Sequence, residues 1–222
     1  MIVKTKKSPT FTLLSTLILL NTHSAQAFSQ NKFAPQTSTL VVEVSKTSNT
    51  ERAEKFIASL SQEGISFLQE KSISENEKRE KFRVFLNQNF DLKTIARFAL
   101  GRYWRSSTKE QKKEYLALFE DMVVDVYARR FGEYDGQNIE ILQSRSQGKA
   151  DILVSSSIIQ NNGPKIGLDW RVRNKKDGSL KIIDLIVEGV SMSLTQRSDF
   201  ASVIQRGGGN VEALLKHLRD SK

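Results

Sequence analysis

No cysteine occurs anywhere in the 222 residues, which excludes disulfides, thiol nucleophiles, Cys-based zinc sites and acylation on an N-terminal cysteine. Histidine is nearly as scarce: there are two, His23 close to the N-terminus and His217 close to the C-terminus. A Ser-His-Asp triad would have to recruit His217, and no Gly-x-Ser-x-Gly elbow exists, so His217 reads as a solvent-facing residue of a terminal helix. Multi-histidine metal sites and haem ligation are excluded on the same scarcity. The expectation is a chain with no catalytic residues, no metal and no cofactor. Long apolar runs are also missing, with one exception. Phe11 to Leu20 is preceded by Lys4, Lys6 and Lys7 and followed by Ala25-Gln26-Ala27, the layout of a secretory signal cut after Ala27. It is too short for a permanent membrane span, and nothing downstream is long and apolar enough for one.

Residues 1–27 are therefore read as a signal peptide and the protein as exported to the periplasm. Of the formal charge of +9, three units belong to Lys4, Lys6 and Lys7, which leaves +6 on the mature chain. A basic balance usually suggests nucleic acid, but export removes that partner. Anionic membrane surfaces, acidic faces of protein complexes, or plain solubility charge remain. Removing 27 of 222 residues leaves 195, enough to bury a core in one domain. Residues 28–49, rich in Ser, Thr, Asn and Gln, read as a flexible lead-in, and 50–222 as a single α+β domain, most simply a monomer.

From Thr50 the apolar residues Ala53, Phe56, Ile57, Leu60, Phe67 and Leu68 recur at helical spacing. A second helix opens at the capping box Ser74–Glu77 and carries Phe82, Phe85 and Leu86; Asp91 caps a short third one that leaves at Gly101. Thr108 with Gln111 opens the longest, running to about Phe131. Its apolar stripe, Tyr115, Leu118, Phe119, Met122, Val123, Val126, Tyr127 and Phe131, is wider than one packed face needs, so something apolar is expected on two sides.

After Gly136 the period switches to two. Strands are expected at 138–144, 151–159, 165–173 and 180–190, joined by turns so short that neighbours must be antiparallel. Ile166, Leu168, Trp170 and Val172 alternate with Gly167, Asp169, Arg171 and Arg173. In the fourth strand Ile183, Leu185 and Val187 share one face and Ile182 and Ile186 the other, so neither face looks solvated. Two helices follow, the last capped by Asn210. Gly207-Gly208-Gly209 lacks the Lys-Ser/Thr of a phosphate loop and reads as a helix stop. Asp184 and Glu188, about 13 Å apart by strand rise, are too distant for paired-carboxylate hydrolysis. Asp184 reads as a structural carboxylate held by Arg or backbone donors. Apolar faces without a reactive constellation suit the carrier of an apolar ligand, or a packed core with nothing in it.

Several ordered islands carry a resemblance: Phe90-Asp91, Leu100-Gly101 with Trp104-Arg105, Glu110-Gln111, Tyr127-Ala128, Val187-Glu188-Gly189-Val190-Ser191, and Arg197-Ser198 with Phe200. In this order, behind an export signal, the chain resembles the MlaC-type family of toluene-tolerance auxiliary proteins, soluble periplasmic phospholipid carriers. The resemblance covers roughly Phe82 to Arg219. It implies helices packed on a curved four-stranded antiparallel sheet with an apolar cavity between them for lipid tails. By position it points to a wall of Phe98, Trp104, Val123, Tyr127, Phe131, Ile152, Val154, Leu168, Trp170, Val187, Val190 and Met192. Arg105 and Arg197 are the headgroup candidates it suggests, with a helix entry tied to carboxylates as their structural alternative. It further implies phospholipid as ligand, an ATP-driven inner-membrane lipid transporter as one partner, and an outer-membrane lipoprotein and porin complex as the other. Gln196 and Leu180 stand where the family often has aromatic residues. The Thr195-to-Phe200 wording is similar to a branch associated with hopanoid transport, which leaves the lipid class open. A small exported α/β enzyme and an envelope adaptor are the competing readings.

Overall fold

The structure is a computed structural model that describes residues 40–70, 72–128, 134–161 and 163–221, with side chains from residue 49 onward. The expected signal peptide and cleavage site, most of the expected lead-in, and Phe131 lie outside the described residues. Among the described residues, seven helices and five strands follow in order. They are α1 (Leu40–Gln69), α2 (Glu75–Asn89), α3 (Leu92–Leu100), α4 (Tyr103–Ser106), α5 (Lys109–Ala128), β1 (Asn138–Gln147), β2 (Asp151–Ile159), β3 (Ile166–Asn174), β4 (Leu180–Val187), β5 (Val190–Ser191), α6 (Met192–Arg206) and α7 (Val211–Asp220). The first helix begins at Leu40, inside the segment expected to be a lead-in.

The strands form one antiparallel meander in the order β1-β2-β3-β4-β5. The class is thus α+β, but the sheet has five strands rather than four and is not strongly curled. The fifth strand arises because the expected fourth breaks at Glu188-Gly189. Both residues have positive φ, 48° and 79°, and Val187 pairs with Val190, so the chain turns back in the two-residue hairpin that such φ values require.

Two bulges adjust the sheet. Arg171 pairs with Asp184 whereas Val172 pairs with Ile182, so Ile183 is an extra residue in β4. Strict alternation put Ile182 opposite Leu185 and Val187. The bulge moves it to their face, where its buried side chain packs with Trp170 and Val172. A second register shift between Ile141 and Gln143 leaves Leu142 exposed.

Apolar burial falls into two clusters. One joins Ala53, Ile57 and Leu60 of α1 to Ile152, Val154, Leu168, Trp170, Val172 and Ile182 of the sheet. The other is helical, built from α3, α5, α6 and α7 around Tyr115, Phe119, Phe200 and Leu214. Each fully buried Leu or Phe in such a cluster contributes roughly 2 kcal/mol. Tyr115 donates its hydroxyl proton to the Ala96 carbonyl at 2.8 Å, and burial pushes its phenol far above the usual range, so it remains a donor at any working pH.

Caps read from the sequence are made. Ser74 and Glu77 form a reciprocal capping box, Thr108 and Gln111 exchange equivalent bonds, the Asp91 side chain accepts from Thr94 N at 3.0 Å, and Asn210 from Glu212 N at 2.9 Å. The α2–α3 junction is also tied to the sheet. Asp91 N donates to the Ile182 carbonyl at 2.9 Å, and Lys175 Nζ lies 2.6 Å from Asp91 Oδ2.

Candidate functional site: an apolar pocket at the seam of two cores

Where the two clusters meet they do not close on each other, and an apolar pocket of about 430 Å³ remains. That lies within the roughly 300–1,000 Å³ range of small-molecule sites. α1 contributes Leu60, Gly64 and Leu68; α2 contributes Phe82, Phe85 and Leu86; α5 contributes Phe119, Met122, Val123, Val126 and Tyr127. Trp170 and Leu185 come from the sheet, Leu92 and Ile95 from α3, and Met192 from the start of α6. The wide stripe of α5 is explained by this arrangement. Tyr115, Leu118 and Phe119 pack into the helical core, while the residues one and two turns on face the pocket.

Local chemistry positions these groups. Trp170 donates its indole N–H to Ser156 Oγ at 2.9 Å, and that hydroxyl donates to the Leu168 carbonyl at 2.8 Å, so the ring is fixed by a buried relay. Phe82 stacks near Phe67 and Phe85 and meets the Tyr127 ring at 6.2 Å. Gly64 faces the Phe85 ring of α2, where a Cβ would make an ordinary contact at 3.8 Å.

α2 has one buried residue, Leu86, and ion pairs to α5 add to its apolar contacts. Arg83 lies 3.2 Å from Glu120 and 3.0 Å from Asp121, Asn87 donates to Glu120 at 2.9 Å, and Arg79 pairs with Asp125.

Asp184 is the one charged residue in the lining. It is buried, and its oxygens accept the Ser191 hydroxyl at 2.6 Å and the Ser193 N–H at 3.0 Å. Its partners are thus hydroxyl and backbone donors at the first turn of α6, where the helix dipole favours a carboxylate. Ser193, Thr195 and Gln196 give the pocket a polar end beside it. Among the described residues no cluster of three or more His, Asp or Glu could hold a metal, and no helix is long and apolar enough to cross a membrane.

The structure brings Val123, Tyr127, Trp170 and Met192 of the expected wall together in the pocket. The other described members it places elsewhere, and Phe131 lies outside the described residues. Ile152, Val154 and Leu168 are buried in the α1–sheet core, and Val187 packs against it. Trp104 packs on the helical core. Phe98 and Val190 are solvent-exposed, as are Arg105 and Arg197. The contributions from α1 and α2 went unread. Their signal was present in Phe82-x-x-Phe85-Leu86, the only large apolar group besides Val84 in an otherwise charged helix.

The architecture is one already seen in a solved structure. A phospholipid-binding protein from Ralstonia solanacearum, determined in complex with a phospholipid, superposes with a TM-score of 0.58 at 24% identity, covering 84% of this chain and 96% of that one. At that identity the likeness is one of fold. The family is settled by sequence: the model of the MlaC protein family matches residues 58–220, and the chain belongs to that family. Two curated relatives agree. The intermembrane phospholipid transport system binding protein MlaC of Haemophilus influenzae is 26% identical over 126 residues, 55% of this chain and 58% of its own. Toluene tolerance protein ttg2D of Pseudomonas putida is 24% identical over 114 residues, 51% and 53% respectively. The chain thus spans just over half the length of these relatives.

Proposed function

We propose that this protein is a soluble periplasmic carrier that holds phospholipid acyl chain in the pocket between α1, α2, α5 and the sheet. It shuttles the lipid between inner and outer membranes. The observation that carries the reading is the pocket itself, a space of about 430 Å³ with mostly aliphatic and aromatic walls and one polar end, between two separately packed cores. Support comes from the relatives, one named for intermembrane phospholipid transport and another solved with phospholipid bound. Each methylene withdrawn from water is worth about 0.8 kcal/mol, so two bare chains crossing an aqueous gap would cost on the order of 20 kcal/mol. A covered chain avoids that barrier without any reaction, and the reading requires neither metal nor cofactor. Net transport needs an energy source outside the carrier. In this reading that is an ATP-driven lipid transporter at the inner membrane, facing a lipoprotein and porin complex at the outer one.

Native mass spectrometry of protein purified from cells without detergent tests this. The expected spectrum is the polypeptide plus phospholipid in stoichiometric amount. Bare polypeptide in every charge state, together with an empty solvent extract, would overturn the carrier reading and favour an adaptor. A hopanoid mass would keep the carrier and replace its cargo.

A further inference from the structure

Some cations of this fold are paired with acids and others are not. Arg79, Arg83, Arg173, Lys175 and Arg219 each lie against a carboxylate. Arg97, Arg102, Arg105, Lys112 and Arg197 have no carboxylate partner among the described residues. Four of these five lie over aromatic rings instead. Arg97 and Lys112 are 5.9 and 5.6 Å from the Trp104 ring centre, Arg102 is 4.9 Å from that of Tyr103, and Arg197 is 5.2 Å from that of Phe98. Gly101 completes the seat for Arg197. Its φ is +61°, and a Cβ there would stand 3.0 Å from Arg197 Nε. The charges are therefore held in place, and none is neutralised by an acid. Phe98 is 41% exposed, and Leu194, one turn before Arg197 on α6, is 54% exposed, so large apolar side chains stand out among them.

We infer that this face, formed by α3, α4 and the starts of α5 and α6, docks on an anionic bilayer surface. Arginines at headgroup level with protruding aromatic and aliphatic side chains are what an interfacial contact requires, and each nearby cation adds about 1 kcal/mol of attraction to an acidic leaflet. An acidic protein face would match the charge but leave Phe98 and Leu194 unexplained. Two of these helices also supply the pocket: Leu92 and Ile95 of α3 and Thr195 and Gln196 of α6 line it. Docking here would bring the pocket to its lipid source. That purpose rests on the carrier reading; the docking itself does not.

The test is co-sedimentation of the full mature protein with vesicles of neutral phosphatidylcholine, and with vesicles in which about a third of the lipid is phosphatidylglycerol. Lipid content is measured on the same preparation. Wild type is expected to partition onto the anionic vesicles at least about a hundredfold more strongly. Arg97→Gln, Arg105→Gln and Arg197→Gln together should lower that partitioning about a hundredfold, from three cations. Leu194→Ser with Phe98→Ser should lower it several-fold with the charge unchanged. Thermal melts identify any variant that has failed to fold, and in that case the wild-type comparison and the remaining variant decide. Equal partitioning of wild type onto both vesicle types overturns the proposal. Loss with the arginine variant but none with the apolar one also overturns it, and points to an acidic protein partner. Protein that carries lipid yet ignores the vesicles defeats only the docking face; protein that binds anionic vesicles yet carries no lipid defeats only the carrier reading.

Discussion

A carboxylate at position 126 separates a pocket wall from a core. Val126 lines the pocket and is 49% exposed in the free protein, so an aspartate there can stay hydrated. Valine and aspartate differ little in helix propensity, and the expected loss of folding stability for Val126→Asp is within about 1 kcal/mol. Against an acyl chain the same carboxylate loses its water and gains no partner. A penalty of about 3 kcal/mol is modest for an unpaired charge in apolar surroundings, and it corresponds to roughly 150-fold weaker lipid binding. Val154, fully buried between α1 and the sheet, is the control: Val154→Asp should abolish the cooperative unfolding transition. Displacement of a fluorescent phospholipid, with thermal melts on the same samples, measures both effects. Wild-type lipid affinity in Val126→Asp, or a collapse in stability matching that of Val154→Asp, would refute the assignment of α5 to the pocket wall.

Other consequences follow from the polar contacts. Burial pushes the Asp91 carboxyl up, but Lys175 and the Thr94 N–H outweigh it, and the net pKa lies below the ordinary value. A depressed folded-state pKa contributes stability above the unfolded value, near 4, that is lost as pH falls through the folded one. Asp91→Asn, which keeps a capping side chain, should therefore destabilise by about 1 kcal/mol at pH 7, and the difference from wild type should vanish once the pH has fallen below the folded-state pKa, as read from urea midpoints across the acid range. Releasing α2 by Arg79→Ala with Arg83→Ala should speed lipid exchange about fivefold, since partly exposed ion pairs are worth roughly 1 kcal/mol; an unchanged exchange rate would show that α2 does not gate the pocket. Raising salt from 0.05 to 0.5 M should slow delivery to anionic vesicles while lipid already in the pocket is retained, because screening acts on exposed charge and not on apolar burial. Equal delivery rates would make the basic balance solubility charge only.

Helix ends were legible because caps are local chemistry. Ser74–Glu77, Thr108–Gln111, Asp91 and Asn210 each satisfy donors within three residues, and distant packing did not overrule them. The meander was legible for the same reason, its turns being too short for any crossover. What escaped depended on elements distant in sequence. The bulge at Ile183 reverses the side on which Ile182 packs, and nothing in a period-two pattern announces an inserted residue. Ile152, Val154 and Leu168 were expected on a cavity wall, but α1 lies on that part of the sheet and fills it. Alternation shows that a face is apolar, not whether a helix or an empty space lies against it. The surplus apolar width of α5 was the better guide, since a helix already packed on one side that remains apolar on another must face something else. In sequence Arg105 and Arg197 allowed a headgroup role, with a helix entry tied to carboxylates the favoured alternative; their exposure, and the seat of Arg197 on Phe98, belong to the fold.

The central claim is that acyl chain occupies the seam between the two cores. Photo-crosslinking tests it most directly. The mature protein would be loaded with a phospholipid carrying a diazirine near the end of one chain, irradiated, and mapped by peptide mass spectrometry. Adducts are expected on α5 at Met122, Val123 and Val126, on α2 at Phe82 and Phe85, and on Trp170 of the sheet. Adducts confined to the exposed α3–α6 face around Phe98 and Leu194, with none on α2 or α5, would contradict the account.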